Sequence, residues 1–208
     1  MLLTAATKAA TAKHAQVGIR PVLKHRQFLR QHKVDAVQPL GLFLPMVPMH
    51  TFNWDDWLRD LTVGPVSAEN ASPTGWVRPR GIMFGTHHDA PVVFPDSMHV
   101  RDATLTRKTR SGDILVPQQQ VDVMTAPKAM TVWPAWQYFE EDKKGSLEAG
   151  KLAAFVVLSG DPTALDPSDL DSQRGMAPIE EDKVIFETNA EQNETPVRPG
   201  SYLGVLRS

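Results

Sequence analysis

The chain of 208 residues contains no cysteine. This absence excludes a disulfide framework, a thiolate metal site and a cysteine nucleophile. It is typical of a reducing compartment, and we expect a cytoplasmic protein. An excess of charge of one sign is also missing, since 22 Lys and Arg residues accompany 24 Asp and Glu residues. Because a nucleic-acid binder needs a basic surplus, we expect no nucleic-acid partner.

Long apolar runs are absent as well. The longest stretch without a charged residue covers 36–54, and it is interrupted by Pro39, Pro45 and Pro48. A membrane-spanning helix needs about 20 apolar residues without such breaks. We therefore expect no membrane partner and interpret the apolar part of this stretch as a buried strand with its exit loop.

Short apolar runs alternate with helical segments in the first 90 residues. Strands are predicted at 19–25, 42–47 and 82–85. Helices are predicted at 3–15, at 28–40, and from Ser72-Pro73, with Ser72 as the N-cap, to Gly81. This alternation indicates βα units on a parallel sheet. Beyond residue 90 the pattern predicts helices at 96–108 and 119–131 and strands at 155–158 and 183–186.

A polar residue closes each of the three predicted strands of the parallel sheet: His25, His50 and Asp89. Functional groups gather at the carboxyl ends of parallel strands. Two histidines and an aspartate are the ligand types of a catalytic divalent metal. An aspartate beside such a metal can also accept a proton from the bound water.

Each of these residues also has a purely structural interpretation. A histidine at a strand end is commonly a hydrogen-bonded structural residue, and Asp89 is equally suited to cap a helix. By the alternation of side chains along a strand, His87 faces the same side as Asp89 and His88 faces away. The aromatic segment 52–57 is predicted to be a loop, either a substrate lid or a packed surface loop.

Three segments resemble the amidohydrolase superfamily. They are GTHHDAPVVFPDS at 85–97, FLPMVPMHTFNWDDW at 43–57 and GSLEAGKLAAFVVLSGDP at 145–162. The branch they resemble includes N-substituted formamide deformylase and the proteins labelled exoenzyme regulatory. The resemblance implies an α/β fold, a (β/α)8 barrel that carries a small β-sandwich built from both chain ends.

Placed on that fold, the three predicted strands resemble barrel strands six, seven and eight. The resemblance then divides the chain into a C-terminal part of the barrel at 1–142, the C-terminal share of the sandwich at 143–187 and a polar tail at 188–208. It implies that His25 and Asp89 bind a divalent metal, with zinc as the expected ion. Asp89 would also be the catalytic proton shuttle, and His50 and His87 would contact a small-molecule amide substrate.

The departures from the family pattern are substantial. The His-x-His of strand one, the bridging ligand of strand four and the histidine of strand five have no counterpart in this sequence, and Ala154 replaces the usual Asp of the return strand. Two hypotheses follow. The chain is either a metal-dependent enzyme that hydrolyses a carbon–nitrogen, non-peptide amide bond, or a truncated, non-catalytic remnant of one. In both cases we expect self-association through open sheet edges.

Overall fold

The computed structural model describes residues 2–13, 18–25, 27–164, 166, 169–181 and 183–185. Short helices surround two small sheets, so the fold is mixed α/β. The α-helices are α1 Leu2–Lys13, α2 Gln31–Val37, α3 Pro48–Trp57, α4 Pro65–Ala68, α5 Thr74–Val77, α6 Ser97–Thr106, α7 Thr125–Met130 and α8 Val132–Gln137. The strands are β1 Leu44–Met46, β2 Phe84–Thr86, β3 Ala154–Leu158, β4 Gly175–Glu180 and β5 Lys183–Val184.

The first sheet is parallel, as predicted. β1 and β2 pair with Leu44 opposite Phe84. The strand predicted at 19–25 is reduced to a parallel bridge between Val22 and Phe43, because Pro21 has no N–H to donate. Two backbone hydrogen bonds of 2.9 Å hold that bridge, from Leu23 N–H to the Phe43 carbonyl and from Phe43 N–H to the Pro21 carbonyl. The strand predicted at 82–85 is found at Phe84–Thr86, so it begins two residues later and ends one residue later than predicted.

The second sheet is antiparallel, with β4 between β3 and β5. The strand predicted at 155–158 is found one residue longer, and the strand predicted at 183–186 ends at Val184, with Phe186 outside the described residues. β4 was not predicted, because Gly175 and Pro178 are poor strand formers. Toward β3, Pro178 lies opposite Val156 at a position where the ladder requires no N–H. On its other side its carbonyl accepts from the N–H of Ile185, just beyond the end of β5, so the missing N–H falls at the end of that ladder.

A core of aliphatic side chains lies between the parallel sheet and its helices. Its members come from α2, β1, α5, β2 and α7, and they include Val34, Leu44, Val77, Phe84 and Ala129. A second cluster packs α3 against α6 through buried residues that include Met49, Val100 and Ala103. The packing of α3 matters most for the site, because this helix carries a candidate residue in its first turn.

Several predicted helices differ in their ends. The helix predicted at 28–40 begins at Gln31, and it continues as a 3-10 turn, Gln38–Leu40, which accommodates Pro39. The predicted N-cap role of Ser72 is wrong. The helix begins at Thr74 with Pro73 at the N-cap position, and Ser72 has a φ of 40° and makes no cap hydrogen bond.

The prediction of an aromatic loop at 52–57 is also wrong, since this segment lies in α3. Pro48 occupies the first turn of α3, where its missing N–H costs no hydrogen bond, and glycine is absent from the helix. The helix predicted at 119–131 is limited to α7, with Pro127 in its first turn for the same reason. In α6, the predicted helix at 96–108 is found with Asp96 as its N-cap.

Two further expectations concern the ends of the chain. α1 covers the helix predicted at 3–15 as far as Lys13, and the last two predicted residues lie outside the described part. The polar tail predicted at 188–208 also lies outside it, and the domain boundary predicted near residue 143 stays a prediction. Among the helices that the structure describes, none combines the length and apolar character needed to cross a bilayer.

Candidate active site

Three elements end at the candidate site. His25 follows the bridged segment at Val22, and Asp89 follows β2 by three residues. His50 lies in the first turn of α3, where its N–H donates to the Val47 carbonyl at 3.0 Å. Because the three segments run parallel, their carboxyl ends meet at one edge of the sheet. The parallel pairing therefore brings residues 25, 50 and 89 together although they are far apart in sequence.

The two histidines converge on one carboxylate. His25 Nε2 lies 3.2 Å from Asp89 Oδ1, and His50 Nε2 lies 3.2 Å from Asp89 Oδ2. The contact of His50 lacks hydrogen-bond geometry, since its buried Nε2 has no hydrogen-bond partner in the structure. The His50 Nε2 thus lies beside the Asp89 carboxylate and makes no hydrogen bond within the structure.

His87 lies beside this group. Its ring centroid is 5.6 Å from that of His25. The pKa of His87 is lowered to about 4, chiefly by burial; the carboxylate of Asp89 opposes this shift and the positive charge of Lys24 adds to it. Burial also lowers the pKa of His50, against the attraction of Asp89. Both imidazoles are therefore neutral near pH 7, the form in which a ring nitrogen can accept a hydrogen bond or bind a metal.

The remaining polar atoms near the strand end lack partners. The Nε2 atoms of His87 and His88 and the hydroxyl of Thr86 are buried without a hydrogen bond. Unpaired buried polar groups are uncommon and each one is costly. Their concentration within three consecutive residues, directly before Asp89, marks this strand end as a place where a ligand would satisfy atoms that the protein itself leaves unpaired.

The backbone is held in an unusual conformation at two of the site residues. His25 has a φ of 58° and Asp89 a φ of 66°. Residues other than glycine rarely adopt positive φ, and aspartate and histidine are among those that tolerate it best. Strained conformations of this kind concentrate at functional sites, where the surrounding structure enforces them.

The ligand set is incomplete in the described part of the chain. Within it, no three His, Cys, Asp or Glu side chains are arranged so that they could hold one metal ion. A catalytic zinc usually has three protein ligands and one open position. His25, His50 and Asp89 have the appropriate donor atoms but do not form a closed metal site by themselves. Their individual roles stay predictions.

A buried acid one turn along α3 was missed by the sequence reasoning. The side chain of Asp55 is inaccessible to solvent and faces Arg107, which is also buried. Burial raises the pKa of Asp55 to about 6, and Thr51, Gln27 and Arg107 each oppose the shift. Thr51 and Gln27 lie close, but neither Asp55 oxygen has a partner with hydrogen-bond geometry. The i, i+4 spacing of Thr51 and Asp55 would have signalled a buried face if the segment had been interpreted as a helix.

The sequence model of a family described as "Amidohydrolase family" matches residues 1–191. YtcJ of Bacillus subtilis (strain 168), a protein named as an amidohydrolase, is 26% identical over 151 residues. That match covers 71% of this chain and 28% of YtcJ.

Two solved structures share the fold. One is an uncharacterized metal-dependent hydrolase from Pyrococcus horikoshii OT3, with a TM-score of 0.65, 21% identity and coverage of 80% of this chain. The other is an adenosine deaminase from Xanthomonas campestris with bound zinc, with a TM-score of 0.57, 13% identity and coverage of 90% of this chain. The present chain spans 33% of the first and 45% of the second.

Proposed function

Because the chain belongs to the amidohydrolase family, we propose that its site is part of a metal-dependent centre that hydrolyses a carbon–nitrogen amide bond other than a peptide bond. The observation that carries this proposal is the convergence of two histidines on the two oxygens of Asp89, each at 3.2 Å. Two solved relatives by fold are described as a metal-dependent hydrolase and as a deaminase with bound zinc, and both descriptions agree with it.

The proposal includes a partial barrel. We assign the bridged segment at Val22, β1 and β2 to barrel strands six, seven and eight, and the antiparallel sheet β3–β5 to the C-terminal share of a sandwich. The spatial order of the three parallel segments, with residues 43–46 between 22 and 84–86, supports the first assignment. It is the order expected for consecutive strands of a βα-barrel.

The imidazole nitrogens and the carboxylate oxygens at this site are of the types that bind a divalent metal. His25 and Asp89 are the residues that would hold it, with zinc as the proposed ion, and the orphaned Nε2 of His50 is available beside them. When bound, such a metal polarises a carbonyl and lowers the pKa of a bound water to about 7. The remaining ligands would come from barrel strands outside the part of the chain that the structure describes.

The protein's own groups have distinct roles in this proposal. Asp89 accepts the proton of the attacking water, and it is placed for this because its side chain is partly exposed between the two histidines. His50 is neutral, so it can accept a hydrogen bond from the substrate or donate one to it. His87, also neutral and 5.6 Å from the His25 ring, forms the wall of the substrate site.

The second candidate is a non-catalytic remnant of such an enzyme. It is favoured by the incomplete ligand set within the described residues. The two candidates differ in one respect: whether the site becomes active when the missing strands are supplied.

Two experiments test the proposal. First, zinc titration of the purified chain should show weak binding, because two or three ligands leave most of the coordination sphere to water. His25→Ala should reduce it at least severalfold, while His32→Ala, at an exposed position on α2, should not. Equal effects of the two variants would place the metal elsewhere.

Second, the chain should be co-expressed with a polypeptide that carries the preceding barrel strands of a relative, and hydrolysis of an N-formyl amine should be measured. Asp89→Asn should preserve the fold but abolish turnover, since an amide cannot accept the proton. The next helix, α6, is capped by Asp96 and not by Asp89, so the helix-cap interpretation of Asp89 is wrong; if Asp89 has only another structural role, Asn should serve nearly as well. Full turnover by the Asn variant would exclude Asp89 from proton transfer, and no turnover in the wild-type pair would favour the remnant.

A further inference from the structure

Asp55 is a buried acid that the proposed reaction does not use. It lies on α3 five residues after His50, about 7.5 Å further along the helix at a rise of 1.5 Å per residue. Its side chain is inaccessible to solvent, and among the described residues neither of its oxygens has a hydrogen-bond partner. An ionised carboxylate in such a place is costly, and its replacement by an apolar side chain is often neutral or stabilising. Stability therefore does not explain why this position carries a charge.

The charge that faces Asp55 belongs to Arg107. This arginine is 1% exposed and follows the last residue of α6, and its positive charge acts on the Asp55 carboxylate. Its guanidinium donates to three backbone carbonyls, those of Leu115 at 2.7 Å, Ser72 at 3.0 Å and Ala71 at 2.9 Å. Because both charges are removed from water, salt and solvent screen their attraction far less than at the surface. Asp55 is thus attracted to the side chain that holds these carbonyls in place.

The backbone held by Arg107 is joined to the segment that carries His25. Ser72, whose carbonyl accepts from Arg107, donates its own N–H to the Gln27 carbonyl at 2.8 Å. Gln27 follows His25 by two residues, and its side-chain amide lies beside the Asp55 carboxylate. The contacts therefore lead from Asp55 to the His25 segment by two routes, one through the arginine and one through the glutamine.

The other side of the cluster is α3 itself. His50 lies in its first turn, and the neighbouring Met49 packs against Val100 and Ala103 of α6. A helix moves largely as one rigid element, so a displacement at Asp55 carries His50 with it. The buried charges consequently lie between the two elements that carry the histidines of the candidate site.

Resting on the proposed function, we propose that Asp55 is a positioning residue, which with Arg107 fixes the distance between His50 and His25 and so prepares both imidazoles for a metal. Asp55 acts through α3 and the backbone at residue 27, and not by contact with the metal. Groups that orient metal ligands from outside the coordination sphere have a large effect on metal affinity. Proteins retain destabilising groups where a functional geometry requires them, which accounts for a buried charge that stability does not explain.

Zinc titration of Asp55→Asn at pH 7, combined with urea unfolding, tests the proposal. The amide keeps the shape of the carboxylate and removes the charge that faces Arg107. The variant should be at least as stable as the wild type at this pH, whereas its zinc dissociation constant should rise by about tenfold. A residue with a purely structural role would not combine weaker binding with undiminished stability. Asp56→Asn is the matched control, because it removes a charge from the next residue of α3, which is accessible and accepts hydrogen bonds from Ser111; it should leave zinc affinity unchanged.

Nitrogen–proton correlation NMR of the histidine rings tests the positioning without any metal. The ring signals of His25 and His50 should both shift in the variant at residue 55 and stay in place in the control at residue 56. The signal of His32, exposed on α2, should move in neither. The charges that act on His50 are those of Asp89 and His25, so a shift of its signal reports a change of position and not the direct loss of the Asp55 charge.

The two measurements separate this inference from the proposed function. If the wild type binds no zinc but the ring signals shift as expected, the metal-centre proposal fails and the positioning role stands. Unmoved ring signals, unchanged zinc affinity in Asp55→Asn, or equal effects of the 55 and 56 variants would each overturn the positioning role. An Asp55→Asn variant that does not fold would also overturn it, since Asp55 would then be required for the fold itself.

Discussion

Replacing the buried carboxylate of Asp55 by the neutral amide of Asn should change how stability depends on pH. In the folded protein this side chain is inaccessible to solvent, and burial raises its pKa from 3.8 to about 6. The pKa of Asp55 is therefore higher in the folded protein than in the unfolded chain. The folded state favours the protonated form, so ionisation of Asp55 destabilises the fold as the pH rises from about 4 to above 6.

The magnitude follows from the size of the shift. Each pKa unit corresponds to roughly 1.36 kcal/mol, so a shift of about two units amounts to ~3 kcal/mol. The positive charge of Arg107 already opposes the shift, so this value is what remains after that compensation. Asn resembles the protonated acid in shape and cannot ionise. Asp55→Asn should therefore match the wild type near pH 4 and exceed its stability by up to ~3 kcal/mol at pH 7.

Urea unfolding followed by circular dichroism between pH 4 and pH 7 measures this difference. Asp56→Asn is the control, because Asp56 lies next in sequence but is accessible at the surface, where its carboxylate accepts hydrogen bonds from Ser111. Asp56→Asn should not become more stable than the wild type at any pH in this range, because the amide replaces a carboxylate that accepts two hydrogen bonds from Ser111. Parallel curves for wild type and Asp55→Asn would refute the burial argument. If the free energy of unfolding of the wild type instead rises relative to that of Asp55→Asn as the pH increases, pairing with Arg107 outweighs burial.

Two further predictions concern packing. Arg101, buried in α6, donates hydrogen bonds to the Gln173 side chain and the Pro162 carbonyl. Arg101→Met should therefore lower the free energy of unfolding by about 2–4 kcal/mol, because these buried acceptors lose their partner. In the same urea assay Arg59→Met should lose less than about 1 kcal/mol, because the ion pairs of Arg59 are exposed, and similar losses in the two variants would contradict the argument. A Cβ at Gly75 would lie 2.1 Å from the Gln118 carbonyl oxygen, whereas at Gly160 it would meet nothing within 4 Å. Gly75→Ala should thus lower the thermal midpoint strongly and Gly160→Ala little, and equal midpoints would refute the steric account.

Local patterns predicted a helix or strand correctly where several consecutive residues all favour that element. The run Leu-Phe-Leu-Pro-Met-Val predicts a buried strand, and β1 lies within it. The helix predicted at 96–108 is found as α6, and the carboxylate of Asp96 at its start accepts from the N–H groups of Met98 and His99. In these segments propensity, capping and burial favour the same structure, so local reasoning suffices.

Prediction failed where tertiary contacts decide. The segment 52–57 was interpreted as a loop because of its aromatic and acidic residues, yet packing of α3 against α6 through Met49, Val100 and Ala103 makes it helical. β4 forms despite Gly175 and Pro178, because β3 on one side supplies the pairing. Tertiary context routinely overrides weak local propensity in this way.

For the candidate site, the sequence predicted which residues lie together, and their functional roles stay predictions. The expectation that polar residues at the carboxyl ends of parallel strands lie together directed attention to His25, His50 and Asp89, and the structure brings all three together. The neutral state that burial imposes on His50 and His87 could not be predicted, because burial depends on residues distant in sequence. Asp55 was missed for the same reason.

The strained backbone of His25 yields a prediction that separates its side chain from its conformation. At a φ of 58°, a residue with a Cβ is less stable than glycine by about 1 kcal/mol. The imidazole is 58% exposed, so its removal loses little packing. His25→Gly should therefore be about 1 kcal/mol more stable than His25→Ala by urea unfolding, while zinc titration should show the same loss of binding in both. If the two variants are equally stable, the backbone at residue 25 is not held in the left-handed region. If only one of them loses zinc binding, the metal depends on the backbone conformation and not on the imidazole. Equal loss of zinc together with unequal stability would show that this position retains a strained histidine for its side chain alone.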